Sequence, residues 1–247
     1  MTTAPESEKK NKSGVVVVLS GGMDSTVCAA LAVRNFGTQN VAALHIDYGQ
    51  RTERRERQAF QNICDQLGIP TRLAIQTAFF RAIGGSALTD EQIAVPQAGP
   101  EIGAEIPVTY VPFRNSHFLS AAVSWAEVLG AEKIYIGAVE QDSSGYPDCR
   151  PEFYRAFNEV IRVGTRAGNE KSGIEIVTPL IGMRKAGIVT LGLELGAPLD
   201  LTWSCYSRED RACGVCESCV LRMRAFAAAG AHDPIPYEQA SGTAAQK

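Results

Sequence analysis

14-GVVVVLSGGMDSTVCAALAVRNFG-37 is the stretch that decides the fold. Residues 15–19 are an unbroken apolar run of strand length, the pattern of a strand covered on both faces. The run stops at Ser20-Gly21-Gly22, and 24–35 then spaces its apolar residues as a helix does, with Asp24, Ser25 and Thr26 suited to the first turn. A glycine-rich turn between a buried strand and a helix directs free N–H groups and the helix dipole at whatever lies before it, which favours an anion. Gly21 and Gly22 let the backbone come close, and Ser20, Ser25 and Thr26 add hydroxyl donors. Asp24 suits such a place only if it orients a metal ion or caps the helix. No lysine follows Gly22, so this is not a Walker A loop, and the glycine spacing is not G-x-G-x-x-G.

Outward from this turn the same alternation recurs. Strands are expected at 41–47 and 71–76, with a charged helix from about 52 to 67 between them that ends at Gly68-Ile69-Pro70. Helices are expected at 115–129, 151–165 (Pro151 in its first turn) and 184–196, and strands at 133–139 and 174–180. The rhythm predicts an α/β fold, a doubly wound parallel sheet with helices on both faces. Residues 84–108 carry glycines, prolines and acidic residues with little periodicity, and read as a long loop or lid. The region from about 201 onward shows no such alternation.

The chain of 247 residues suits one main domain with a small appendage. Lys+Arg 24 against Asp+Glu 27 gives a net charge of −3, which argues against a protein that coats nucleic acid. No apolar run is long enough to span a bilayer, so no membrane is expected. The start, MTTAPESEKKNKSG, has no apolar signal core, and 1–13 reads as a disordered, solvated tail of a cytoplasmic protein.

Four of the seven cysteines crowd into 203-WSCYSREDRACGVCESCVLRMRAF-226, spaced C-x7-C-x2-C-x2-C. Cys205, Cys213, Cys216 and Cys219 form a closed four-thiolate set of the kind that holds structural Zn2+ at about 2.3 Å. An iron–sulfur cluster is the rival, but its runs continue to a downstream Cys followed by Pro, which is absent here. Cys28 and Cys64 fall in apolar helical patterns and are expected to pack as small hydrophobes.

The stretch 20-SGGMDST-26 resembles the PP-loop of the ATP pyrophosphatase superfamily. That resemblance implies an adenine-nucleotide α-hydrolase-like fold with five parallel strands over 14–200. It also implies an ATP site of Leu19, Ser20, Gly21, Gly22, Met23, Asp24, Ser25, Thr26, Val27, Cys28 and Ala29, with Mg2+ accompanying the nucleotide. Three further stretches, 45-HIDYGQRTERRE-56, 110-YVPFRNSHFLS-120 and 145-GYPDCRPEFYRAF-157, together resemble the 7-cyano-7-deazaguanine synthase family of the queuosine pathway, over about 15–237. The implied reaction converts 7-carboxy-7-deazaguanine and ammonia into the nitrile, through an adenylated carboxylate and an adenylated amide. AMP leaves with pyrophosphate or phosphate. Gln50, Arg51, Arg114, Asn115, Tyr146, Asp148 and Arg150 would then bind the substrate, and Asp24, Arg114 and Lys185 would be catalytic. An arginine suits a bidentate carboxylate grip, and Asp148 is suited to a guanine-like edge. Lys185, in 179-PLIGMRKAG-187, is either a phosphate ligand or a solvated helix lysine. The family also implies one zinc per chain in a C-terminal region at 201–247, and a homodimer.

Three positions depart from what many relatives carry. Phe113 replaces a small residue before Arg114-Asn115, Thr52 replaces His after Gly-Gln-Arg, and Ser143 replaces an aromatic. A tRNA-thiolating PP-loop enzyme is one alternative; a paralogue delivering the activated acid to another amine, or a zinc ribbon for protein partners, are others.

Overall fold

A computed structural model of the chain describes residues 14–99, 102, 105–140, 145–170 and 173–238. The tail 1–13, Ser143 and Ser144, and 239–247 of the C-terminal region lie outside the described residues. Five strands form one sheet: β1 (Val15–Val18), β2 (Val41–Asp47), β3 (Thr71–Gln76), β4 (Lys133–Ile136) and β5 (Glu175–Val177). Their order is β3-β2-β1-β4-β5, and every pairing is parallel. The helices are α1 (Met23–Phe36), α2 (Glu53–Gln66), α3 (Phe79–Ile83), α4 (Arg114–Leu129), α5 (Pro151–Gly164), α6 (Arg166–Asn169), α7 (Lys185–Glu194) and α8 (Glu217–Ala228).

Alternation along β1 sends successive valines to opposite faces. Val15, Val17 and Leu19 join a core with residues of α1, α2, α7 and α8, while Val16 and Val18 join a second core with α4 and α5. This is the doubly wound parallel sheet expected from the alternating pattern, with the five strands that the PP-loop resemblance implies for an adenine-nucleotide α-hydrolase-like fold. Cys28 and Cys64 lie fully buried in the first core, as do Trp203, Cys205 and Phe226 from the cysteine-rich region. No helix among the described residues is long and apolar enough to cross a membrane.

Strand order fixes where a ligand can enter. The chain winds from β1 outward through β2 to β3, then returns to place β4 on the other side of β1. Loops leaving β1 and β4 therefore diverge, and the crevice between them opens at the carboxyl ends of the strands.

Several boundaries differ from the expected ones. The strand expected at 133–139 ends at Ile136, because Gly137 passes against the start of α1; a Cβ there would lie 2.8 Å from the Asp24 carbonyl carbon. The strand expected at 174–180 is reduced to three residues and stops before Pro179, which has no N–H for a ladder. α3 is too short to produce a periodic signal, and α8 was hidden by its composition: its buried face includes Cys219 and Arg222 as well as Ala225 and Phe226. Within 84–108 the described loop is pinned. Arg51 donates to the carbonyls of Ala87, Asp90 and Ile93 at 2.7–2.9 Å.

Candidate active site

The turn after β1 is held from three sides. Gly21 takes φ +90°, and a Cβ there would meet the Glu56 carbonyl at 2.8 Å, so α2 packs directly under it. From the far end of the chain, the Trp203 N–H donates to the Gly21 carbonyl at 2.9 Å. Behind it, His45 Nδ1 lies 3.0 Å from the Leu19 carbonyl. The hydroxyls expected to face an anion are partly turned inward: Ser25 and Thr26 donate to the Gly22 carbonyl at 3.0 and 2.8 Å. Ser20 Oγ and Ser25 Oγ are 3.0 Å apart. The first-turn N–H groups of α1 remain the anion-facing surface. Gly22 is the N-cap and no side chain caps the helix, so Asp24 does not serve as its cap. Asp24 Oδ2 is instead ion-paired with Lys185, while its buried Oδ1 has no partner.

A cavity of about 280 Å3 begins at this turn. Ser20, Gly22, Met23, Asp24 and Ser25 line one end, together with Lys185. Leu19, Val27, Cys28 and Ala29 are fully buried in the core behind it and hold the turn in place; they do not line the cavity. Gly21 and Thr26 are likewise not among its lining residues.

At the other end stand Tyr48, Arg114, Phe118, Tyr146 and Tyr206, an apolar and aromatic enclosure with one cation. Arg114 Nη1 donates to the Tyr48 hydroxyl at 3.1 Å, and its guanidinium lies 5.3 Å from the Tyr48 ring centre and 5.6 Å from that of Phe118. Its Nε is buried with no partner, a donor aimed at something the protein does not itself supply. Asn115 lines the cavity too, but its amide nitrogen donates to the Asp148 carbonyl at 3.0 Å.

The remaining expected substrate contacts are distributed differently. Asp148 is buried outside the lining: Oδ2 accepts the Asn115 N–H at 3.0 Å, and its carbonyl accepts the Tyr154 hydroxyl at 3.0 Å. It supports the start of α4. Arg150 is exposed and does not line the cavity. Arg51 borders it with its guanidinium committed to the pinned loop, and Gln50 accepts the Tyr48 N–H at 2.9 Å. Sequence reasoning missed Glu56, Trp203, Ser204 and Tyr206, which also line the space. Glu56 stood inside a quoted motif but looked like one more charge on a charged helix.

Phe113 has φ +59°, the left-handed region that suits glycine, which explains why a small residue fits before Arg114. The residue is 58% exposed and does not line the cavity. Thr52, by contrast, lines the cavity and donates to Glu56 Oε1 at 2.7 Å.

The four C-terminal thiols converge, with all Sγ atoms within 4.8 Å of one another. Cys213 and Cys219 Sγ are 3.9 Å apart, close to the edge of about 3.8 Å that a tetrahedron of 2.3 Å bonds requires. Backbone N–H groups of Ser207 and Cys213 point at Cys205 Sγ at 3.5 and 3.4 Å. Four convergent sulfurs with N–H donors on one of them suit a metal-binding thiolate set. Ser218, Leu221 and Arg222, from α8, reach from this knuckle to the cavity wall.

Residues 14–230 match the family described as queuosine biosynthesis protein QueC. A relative from Koribacter versatilis, named 7-cyano-7-deazaguanine synthase, is 73% identical over 222 residues, covering 90% of this chain and 92% of that protein. One of the same name from Acidobacterium capsulatum is 63% identical over 225 residues, covering 90% and 95%. A 4-thiouridine synthetase–RNA complex with bound ATP aligns with a TM-score of 0.47 and 17% identity over 74% of this chain and 41% of that one, too distant to bear on function. With a matched family spanning the sheet, the glycine turn after β1 and the thiol cluster, this chain belongs to the queuosine biosynthesis protein QueC family.

Proposed function

We propose that the chain is a 7-cyano-7-deazaguanine synthase. In this reading the carboxylate of 7-carboxy-7-deazaguanine attacks the α-phosphate of ATP, pyrophosphate leaves, and ammonia displaces AMP to give the amide. The amide oxygen attacks the α-phosphate of a second ATP, pyrophosphate leaves again, and loss of AMP and both amide protons from that adduct leaves the nitrile. The observation that carries this reading is one cavity lined at once by the anion-facing turn and by Arg114. A phosphate-binding end and a carboxylate-gripping end in the same space are what adenylation of an acid needs, since the catalytic gain lies in bringing the two reactants into line.

Arg114 is a guanidinium in an apolar, aromatic surround, where a bidentate grip on a carboxylate is strong. The relatives' printed names and the shared family support the choice of acid. Lys185, beside Asp24, would steady the phosphates. Mg2+ carried in with ATP would neutralise phosphate charge, and the unpartnered Asp24 Oδ1 is the oxygen available to it. Cys205, Cys213, Cys216 and Cys219 would hold zinc, whose contribution with four thiolates is structural. Arg51, Asn115 and Asp148 act as supports of the pocket in this account, and Arg150 has no contact with the cavity.

Incubation with 7-carboxy-7-deazaguanine, ATP, Mg2+ and 15N-ammonium tests the reading. The expected result is labelled amide followed by labelled nitrile, with AMP formed at each stage. AMP release at background with neither product overturns it, and sulfur transfer to tRNA would replace it with the thiolase alternative.

A further inference from the structure

The cavity contains a carboxylate that the adenylation chemistry does not use. Among the described residues lining it, two are acidic: Asp24 and Glu56. Asp24 sits in the phosphate turn with Lys185 as its ionic partner. Glu56 has only neutral partners. Thr52 Oγ1 donates to Oε1 at 2.7 Å, and Gln50 Nε2 donates to Oε2 at 3.0 Å. Each contact fixes one oxygen and uses one of its two lone-pair sites, so the group is oriented and still able to accept two hydrogen bonds side by side. Burial raises its carboxyl above the ordinary range, so the surrounding groups of the protein stabilise the anion less than water would.

The same cavity offers surfaces of matching chemistry. Tyr48, Phe118 and Tyr146 offer flat apolar surface, and Arg114 provides the cation for an acid group. A planar base carrying both a carboxylate and an amidine-like edge has two poles, acceptor and donor. One pole is met by Arg114. The donor pole needs an oriented acceptor pair inside the cavity. Asp148, the residue that sequence reasoning assigned to it, has Oδ2 on the Asn115 N–H and a buried, unpartnered Oδ1, but it does not line the cavity and so presents no acceptor pair there.

We infer that Glu56, held by Thr52 and Gln50, is the specificity residue that accepts the ring N–H and the exocyclic amine of the deazaguanine. This rests on the synthase reading above and adds to it the group that reads the base. Two charge-assisted hydrogen bonds to a buried carboxylate are worth far more than neutral ones, and a base lacking the amine would leave an acceptor stranded.

The experiment compares 7-carboxy-7-deazaguanine with its analogue lacking the 2-amino group, in wild type, Glu56→Gln and Glu56→Asp, using steady-state turnover and melting temperature. The wild type should prefer the amine-bearing acid, by about 10- to 100-fold in kcat/KM. Glu56→Gln should raise KM for that acid by a similar factor with kcat little changed, and should lose most of the preference. Glu56→Asp keeps the charge and should retain part of the preference, which provides a reading even if the Gln variant folds poorly. Unchanged KM and preference in Glu56→Gln overturn the inference while leaving the synthase reading intact. So does a fall in kcat at constant KM, which would make Glu56 a proton acceptor in the amide-forming step. If the wild type turns over neither acid, the synthase reading fails and the inference falls with it.

Discussion

The two ends of the cavity are built on opposite plans. At the end proposed to hold phosphate, the phosphate end, the anion-facing groups are backbone N–H donors, placed by a strand, two glycines and one helix turn contiguous in sequence. At the end proposed to hold the base, the base end, they are side chains: Tyr48 just after β2, Arg114 and Phe118 from α4, Tyr146 after β4 and Tyr206 near the thiol cluster. A backbone site survives most side-chain changes and is broken by anything that alters φ or adds a Cβ. A side-chain site is broken one residue at a time. The first plan suits a ligand common to many enzymes, the second a ligand peculiar to this one.

Three perturbations test that contrast. Cys216→Ser, or removal of metal with a chelator, should affect both ends, because the knuckle places Trp203 against Gly21 and α8 against the cavity. The expected loss is several kcal/mol, on the order of 10 °C in Tm, with ATP binding and turnover lost together. A melting temperature and a nucleotide affinity that do not move would separate the knuckle from the site. Arg114→Lys should affect the base end alone, keeping the charge but losing the planar fork; kcat/KM for the acid should fall about 100-fold while ATP affinity stays. Equal loss of ATP affinity would show that the ends are not independent. Gly21→Ala should affect the phosphate end first. Its positive φ and the 2.8 Å approach to the Glu56 carbonyl should cost about 1–3 kcal/mol, read as a lower Tm and a raised KM for ATP.

The same contrast explains what could be read from the sequence. The phosphate turn and the thiol cluster were legible because their groups are close in sequence and their spacing carries the chemistry. The parallel sheet was legible because β1 and β2, covered on both faces, read as continuous apolar runs. α8 was hidden because a buried arginine occupies its inner face, satisfied by Asp233 at 2.9 Å and by Thr202 at 2.6 Å, so its pattern lacks the apolar stripe that marks a helix. The side-chain end of the cavity was only partly legible. Asp148 and Arg150 lie in the most distinctive motif, where Asp148 accepts the Asn115 N–H and Arg150 is exposed, while Glu56 lines the cavity on α2, which docks beneath the turn. Spacing along the chain records which groups are local, but not which groups tertiary packing brings to face a cavity.

The hydrogen bond from the Trp203 N–H to the Gly21 carbonyl has a consequence for synthesis of the chain. The turn after β1 emerges from the ribosome early, but its last tether is made some 180 residues later. Trp203, Ser204, Tyr206 and the inner face of α8 also close the cavity wall only after the whole sheet has been made. A nascent chain halted before Trp203 would have all five strands but would lack both the hydrogen bond that holds Gly21 and the C-terminal side of the cavity wall.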